Sequence, residues 1–353
     1  MVLHDGHLNF FNVNFCGLYK VRDENAKGCE LTETFDLIKT WVESRSGYLS
    51  TTPWDPESRP NKSKCYCREI YKSSEGDFFI VLWKSETDGA GSIYGIPENE
   101  KPGEGDIIEQ GSKVGGKNII WGKPCYYWAV PSLNLVISIK FEFSTCDTQL
   151  FQDYVKAAIT NRVKHPKKTK SLTRCGQTRL AFEENPSSLY SYRFDVNLLA
   201  PETSSAEIQE LAKKVKGIVR REHIIVDATD ERAQWLKKFD NLPFIEARPK
   251  TRKRKVEIYA EGKPTPEQIR KIIEDYAQES RNSSEWDRVG FKTEDDTTTW
   301  VDKYRLKHRI AILGIPASQI GAETIYQKIA SERDKILAPI RKLRSEEQKS
   351  KAS

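Results

Sequence analysis

Glu261-Gly262-Lys263, directly after the apolar run Val256–Tyr259, is the stretch whose residue types come nearest to nuclease chemistry. A metal-dependent nuclease needs carboxylates to hold Mg²⁺ and a lysine to steady the attacked phosphate. Asp240 is an upstream acid, but it sits in a loop context rather than on a strand, and a strand-to-helix turn accounts for Glu261–Lys263 better. The five histidines, His4, His7, His165, His223 and His308, fall in no Ser/His or Cys/His motif, so no relay is visible. Cys65 and Cys67 would point to one side of a strand, but one CxC without a second Cys/His pair is poor zinc spacing. Gly89–Gly95 misses the dinucleotide fingerprint, and the glycine-rich loop Pro102–Lys117 contains no GK[ST]. The sequence therefore assigns no catalytic residue, metal ligand or cofactor.

Basic residues make the stronger case. Residues 1–160 hold 17 Lys/Arg against 22 Asp/Glu, while residues 161–353 hold 40 against 29. That asymmetry points to a polyanionic partner for the second half. Lys250, Arg252, Lys253, Arg254 and Lys255 form the densest run and are expected to contact phosphate. Taken alone, Lys213, Lys216, Arg220 and Arg221, read as the end of a helix, are expected to complement its dipole. If the two units pair on one sheet, they would form a basic stripe with Lys250–Lys255 and with Lys263, which follows the second strand. Lys167, Lys168, Lys170 and Arg174 lie in a stretch without acids between Asn161 and Leu180, which either stays in solvent or lies on phosphate. No recognition-helix pair, zinc finger or basic zipper is present, so these contacts would position the protein without reading bases.

The elements that must carry these residues follow from periodicity. An antiparallel sheet is expected from His7–Phe15, Cys65–Tyr71, Phe78–Trp83, Ser92–Ile96, Asn118–Trp121, Cys125–Val130 and Asn134–Phe143. Helices are expected after Thr32, with Phe35, Ile38, Trp41 and Val42 on one side, and from Ser144 or Thr145 to Val163. Beyond the linker, strand Tyr190–Leu199 with the helix carrying Ile208–Ile218 resembles strand Arg254–Tyr259 with the helix carrying Ile269–Tyr276. That pattern suggests a duplicated strand–helix unit on one sheet. A strand His223–Val226, a short helix Asp230–Phe239, one or two strands in Trp300–Leu313 and a long helix Gln319–Gln348 kinked at Pro339 complete the expectation.

The element order resembles that of the RexA phage-exclusion family and, more distantly, KwaB of the Kiwa anti-phage system. The resemblance is carried by Tyr192–Leu199 with its helix, Val256–Tyr259 with Glu267–Tyr276, and Phe291–Asp296 followed by Trp300–Leu313 and Gln319–Arg344, including Glu332–Leu337. In the first half, Pro124–Val130, Leu133–Phe143 and the helix from Asp147 are similar in order and spacing. The resemblance implies a homodimeric DNA-binding sensor in anti-phage defence, without catalysis, working beside a separate membrane effector.

The resulting expectation is an α+β protein. Residues 1–164 form an acidic antiparallel sheet domain with two helices, 165–175 a basic linker, and 176–353 a basic α/β DNA-binding domain with repeated strand–helix units and a C-terminal helix. No apolar run reaches the length of a bilayer span and the N-terminus lacks a basic leader, so a cytoplasmic location is expected. The expected partner is double-stranded DNA bound without sequence preference. A nuclease using Glu261 and Lys263, and a protein-interaction subunit whose basic runs are solvated faces, are the alternatives.

Overall fold

The computed structural model describes residues 3–20, 23–55, 64–85, 94–104, 106–109, 118–172, 178–183, 189–199, 203–227, 251–278, 288–301 and 308–352. Two compact units emerge. The first comprises Met1–Glu202, Ala277–Ser280 and Arg305–Ser353, and the second Thr203–Tyr276 and Arg281–Tyr304. Both mix helices with antiparallel strands, as the α+β expectation requires.

The first unit contains β1 (Leu3–Tyr19), α1 (Leu31–Glu43), β2 (Cys65–Lys72), β3 (Phe78–Ser85), β4 (Tyr94–Pro97), β5 (Ile108–Glu109), β6 (Ile119–Val130), β7 (Leu135–Lys140), α2 (Thr148–Ala157), β8 (Lys168–Leu172), β9 (Thr178–Glu183) and β10 (Leu189–Leu198). The second unit follows with α3 (Thr203–Lys214), β11 (Val215–Asp227), β12 (Thr251–Glu261), α4 (Pro266–Gln278), β13 (Arg288–Thr293) and β14 (Thr298–Trp300). The chain then returns to the first unit through β15 (His308–Leu313), α5 (Ala322–Ala330) and α6 (Arg333–Ala352).

One sheet organises the first unit, in the order β2-β3-β6-β7-β1-β10-β9-β8, with β15 also on β1 and β4 on β6. Its strands are apolar at successive positions because both faces are covered, which overrides the half-polar alternation of an open sheet. Phe11 and Val13 turn towards Phe35 and Ile38 of α1 and Phe151 and Tyr154 of α2. Their neighbours Leu8 and Phe10 turn the other way, into a core with Ile325 and Ile329 of α5 and Ile336, Leu337 and Ile340 of α6. Under that second layer the Arg333 guanidinium makes two hydrogen bonds to the Asp77 carboxylate, at 2.8 and 2.9 Å, and the Trp128 Nε1–H donates to the same carboxylate at 3.0 Å.

Several expectations need correction. The segment expected as a free linker carries β8, which pairs with β9 (Lys168↔Phe182 to Leu172↔Thr178). Strand β10 pairs with β1, and β15 with the start of β1, so the chain divides elsewhere than at 164–176. Consequently β10 and β12 stand in different sheets, and the two similar strand–helix units do not share one. Asn118–Trp121 and Cys125–Val130 are one strand, because Pro124 needs no ladder donor there and its carbonyl accepts from Thr145 N–H at 2.9 Å. Helix α2 starts later than Ser144, since the Asp147 carboxylate caps it by accepting from Leu150 N–H at 2.8 Å. Helix α1 is entered at Glu30 rather than Thr32. The C-terminal pattern is two helices separated at Ser331–Glu332, with Pro339 inside α6. The expected helix Asp230–Phe239 lies outside the described residues. Among the described residues no helix is long and apolar enough to cross a membrane.

Candidate nucleic-acid interface

The second unit's sheet runs β12-β11-β13-β14, all neighbours antiparallel. Helix α3 ends at Lys214 and the chain passes straight into β11, so Lys216, Arg220 and Arg221 stand on a strand and not at a helix C-terminus. The dipole reading therefore does not apply to these three cations. It remains only for Lys213, which pairs with Glu210 at 2.7 Å.

Strands β11 and β12 stay in register from Gly217↔Glu261 to Asp227↔Thr251. Strand β13 accompanies β11 only from Val215 to Arg221. From Glu222 to Asp227, among the described strands, β11 pairs with β12 alone, as a two-stranded ribbon. Within that ribbon His223↔Lys255, Ile224↔Arg254, Ile225↔Lys253 and Val226↔Arg252 are opposed, which places four consecutive basic positions along its β12 edge. The period of a strand assigns positions 253 and 255 to one side and 252 and 254 to the other. Six pairs at ~3.4 Å each make the ribbon about 20 Å long.

Most of the other candidate cations already have carboxylate neighbours. Arg221 Nε pairs with Glu257, Arg220 Nε with Glu222 at 2.9 Å, and Lys263 with Glu294 at 3.5 Å. Lys216 pairs with Asp296: the carboxylate holds the Lys216 ammonium above its ordinary pKa, and Lys216 and then Lys292 hold the Asp296 carboxyl below its own. Exposed pairs of this kind contribute little, so an incoming phosphate can compete for the cation at small cost.

The linker candidates behave differently. Lys168 Nζ donates to the carbonyls of Ile159 (3.2 Å) and Val163 (2.9 Å), closing the five-residue π-turn Ala158–Arg162 that continues α2. Burial depresses its pKa. Lys167 Nζ donates to the Lys27 carbonyl at 3.1 Å and lies 5.2 Å from the Tyr190 ring centre. Lys170 stands on β8, and Arg174 and Lys250 lie outside the described residues. The structure therefore places Lys216, Arg220, Arg221 and Arg252–Lys255 on one sheet, with Lys213 on α3 and Lys263 just past β12. Lys168 and Lys170 belong to the sheet of the first unit, and Lys167 directly precedes it.

Glu261 and Lys263 line a groove of about 420 Å³ together with Ile218, Ala260, Lys271 and Asp275, between the sheet and α4. No group of three His, Cys, Asp or Glu able to hold a metal forms among the described residues. Cys65 and Cys67 are buried on the α1 side of the large sheet. Burial pushes the Cys67 thiol up, as it does Cys16 to about 11 and Cys29 to about 12, which suits packing rather than reactivity.

Sequence reasoning missed Arg288 and Lys292, which β13 brings beside Arg221 and Gly217. A signal was available, since isolated glycines in a strand pattern mark a close approach, and Gly217 and Gly290 both do. Comparison of the chain with protein-family models, with curated proteins and with solved structures gives no match.

Proposed function

We propose that this chain binds double-stranded DNA without sequence preference, through the β11–β12 ribbon. The observation that carries the reading is the β11–β12 register, which aligns Arg252–Lys255 as four consecutive basic positions on one strand. An antiparallel strand pair can enter a major groove, and a run of basic positions along it supplies charge for the phosphates. Lys216, Arg220, Arg221 and Lys263 extend the positive field along the same sheet. Lys213 adds to it from the end of α3. The biological setting rests on the resemblance to RexA: a homodimeric sensor in anti-phage defence, signalling to a separate membrane effector.

The test is binding to several unrelated duplexes of equal length at one salt concentration. Affinities within a few-fold of each other support the reading, because phosphate contacts carry no sequence information. A preference beyond a hundredfold for one duplex would sink it. Cleavage of the duplex in Mg²⁺, abolished by Glu261→Ala, would replace it with the nuclease reading.

A further inference from the structure

The sheet of the second unit has two unlike faces. Ile218 and Ala260, an opposed pair, line the groove under Ile272 of α4, so the helix lies on their side. Phe291, opposed to Ile218, shares that side and is fully buried. The other side carries one continuous row across all four strands: Tyr259, Val219, Gly290 and Trp300.

Both aromatic rings in that row lie on glycine. A Cβ on Gly217 would come within 2.4 Å of the Tyr259 ring, and a Cβ on Gly290 within 2.8 Å of the Trp300 ring. The Tyr259 hydroxyl donates to the Lys216 carbonyl at 3.3 Å, which keeps the ring down on the sheet. Even so, Tyr259 remains 46% exposed. Cations lie over both rings, Arg221 and Arg288 at 4.7 and 5.9 Å from the centre of Trp300 and Lys292 at 5.5 Å from that of Tyr259, so a stacking base would displace them from the ring face towards its phosphates. The register adds Lys255 to this side, together with the acidic positions Asp227, Glu257 and Glu261; Glu257 pairs with Arg221, and Asp296 pairs with Lys292 at 3.4 Å.

We infer that this face binds single-stranded nucleic acid by stacking bases on Tyr259 and Trp300 while Arg221, Arg288, Lys255 and Lys292 hold the backbone. Flat aromatic platforms between cations are the chemistry that single strands use, and every base offers a π face. Gly217 and Gly290 are one strand and two residues apart, so the rings sit about 8 Å from each other. That is more than twice the ~3.4 Å rise per nucleotide of a stacked duplex strand. Bases can reach both rings only when unstacked, which selects single strands over duplex. The inference goes beyond the ribbon reading, because its ligand is a single strand and its platform is Tyr259 and Trp300, although Arg221 and Lys255 would serve both ligands.

The test compares a short thymidine oligonucleotide with an abasic strand of equal length, which has the phosphates but no bases. The full chain is measured by fluorescence anisotropy. Wild type should bind the thymidine strand on the order of tenfold more tightly than the abasic one. Tyr259→Leu keeps an apolar cover over Gly217 but has no π face, and should remove most of that difference while leaving abasic binding unchanged. Tyr259→Phe should keep it. Trp300→Leu provides a second, independent variant, and thermal melting confirms that each one folds. Equal affinity of wild type for the two strands would overturn the inference. So would a Tyr259→Leu protein that folds and still prefers the thymidine strand as strongly as wild type, since the ring would then only cover Gly217. Neither result depends on duplex affinity, which the ribbon residues control.

Discussion

Replacing Arg333 with Met should destabilise the first unit strongly, although the two partners of the broken ion pair lie 256 residues apart in sequence. The Asp77 side chain is 1% exposed and that of Arg333 is 13% exposed. The guanidinium supplies two of the hydrogen bonds that the carboxylate accepts, and Trp128 supplies another. Methionine keeps the apolar stem of the arginine but leaves a buried carboxylate without its counter-charge. Breaking a buried pair from one side costs about 3–5 kcal/mol. In a unit of this size that lowers the melting temperature by on the order of 10 °C. Adding Asp77→Asn to the same protein removes the stranded charge and keeps an acceptor for Trp128. The double variant should therefore regain about 1–2 kcal/mol over Arg333→Met alone. Urea unfolding of wild type, both single variants and the double variant measures the cycle. A cost below about 1 kcal/mol for Arg333→Met, or a double variant no more stable than it, would refute the reasoning that α6 is anchored through a desolvated charge pair.

Lys168→Met should lower stability by about 1–2 kcal/mol, because the carbonyls of Ile159 and Val163 lose their donor. Duplex affinity should be unchanged, and a fall in affinity without loss of stability would show that this lysine meets phosphate instead. His165 packs edge-on against Phe182, and burial holds its pKa below the ordinary value of 6.5 despite Glu33 nearby. The unfolded chain therefore takes up its proton first as pH falls, so this stabilising contribution is present above pH ~6.5 and is lost on acidification through the folded-state pKa. An NMR titration should place the His165 midpoint below 6.5, and His165→Phe should flatten the acid side of the stability profile. A midpoint above 6.5 would contradict the burial argument.

Local signals fix some limits and mislead at others: the expected capping residues Thr32 and Ser144 do not start α1 and α2, whose N-caps are Glu30 and Asp147. Helix α4 begins where Thr265, Pro266 and Gln268 say it should: Gln268 N–H donates to Thr265 Oγ1 at 3.3 Å and Thr265 N–H to Gln268 Oε1 at 2.8 Å. The junction at Lys214–Val215 was not legible. Ile208, Leu211, Val215 and Ile218 fit a helical stripe, yet Val215 and Val219 also fit a strand, and the pairing of β11 with two neighbours settles the choice. Unit membership was hidden for a similar reason. Nothing local in His308–Leu313 indicates that it pairs with Leu3–Leu8 rather than with the strands before it. The basic run at 250–255 was visible as charge, but its place on a ribbon depends on a partner strand about thirty residues upstream in β11.

The most direct test of duplex binding by the ribbon is the salt dependence of duplex affinity for wild type and for Lys253→Ala/Arg254→Ala/Lys255→Ala. Each phosphate contact adds about −0.9 to the slope of log K against log salt. Wild type should bind every duplex with a steep slope, and the triple variant should bind more weakly with a slope shallower by about 2–3 units. An unchanged slope in a folded triple variant, or no binding by wild type at low salt, would contradict the account.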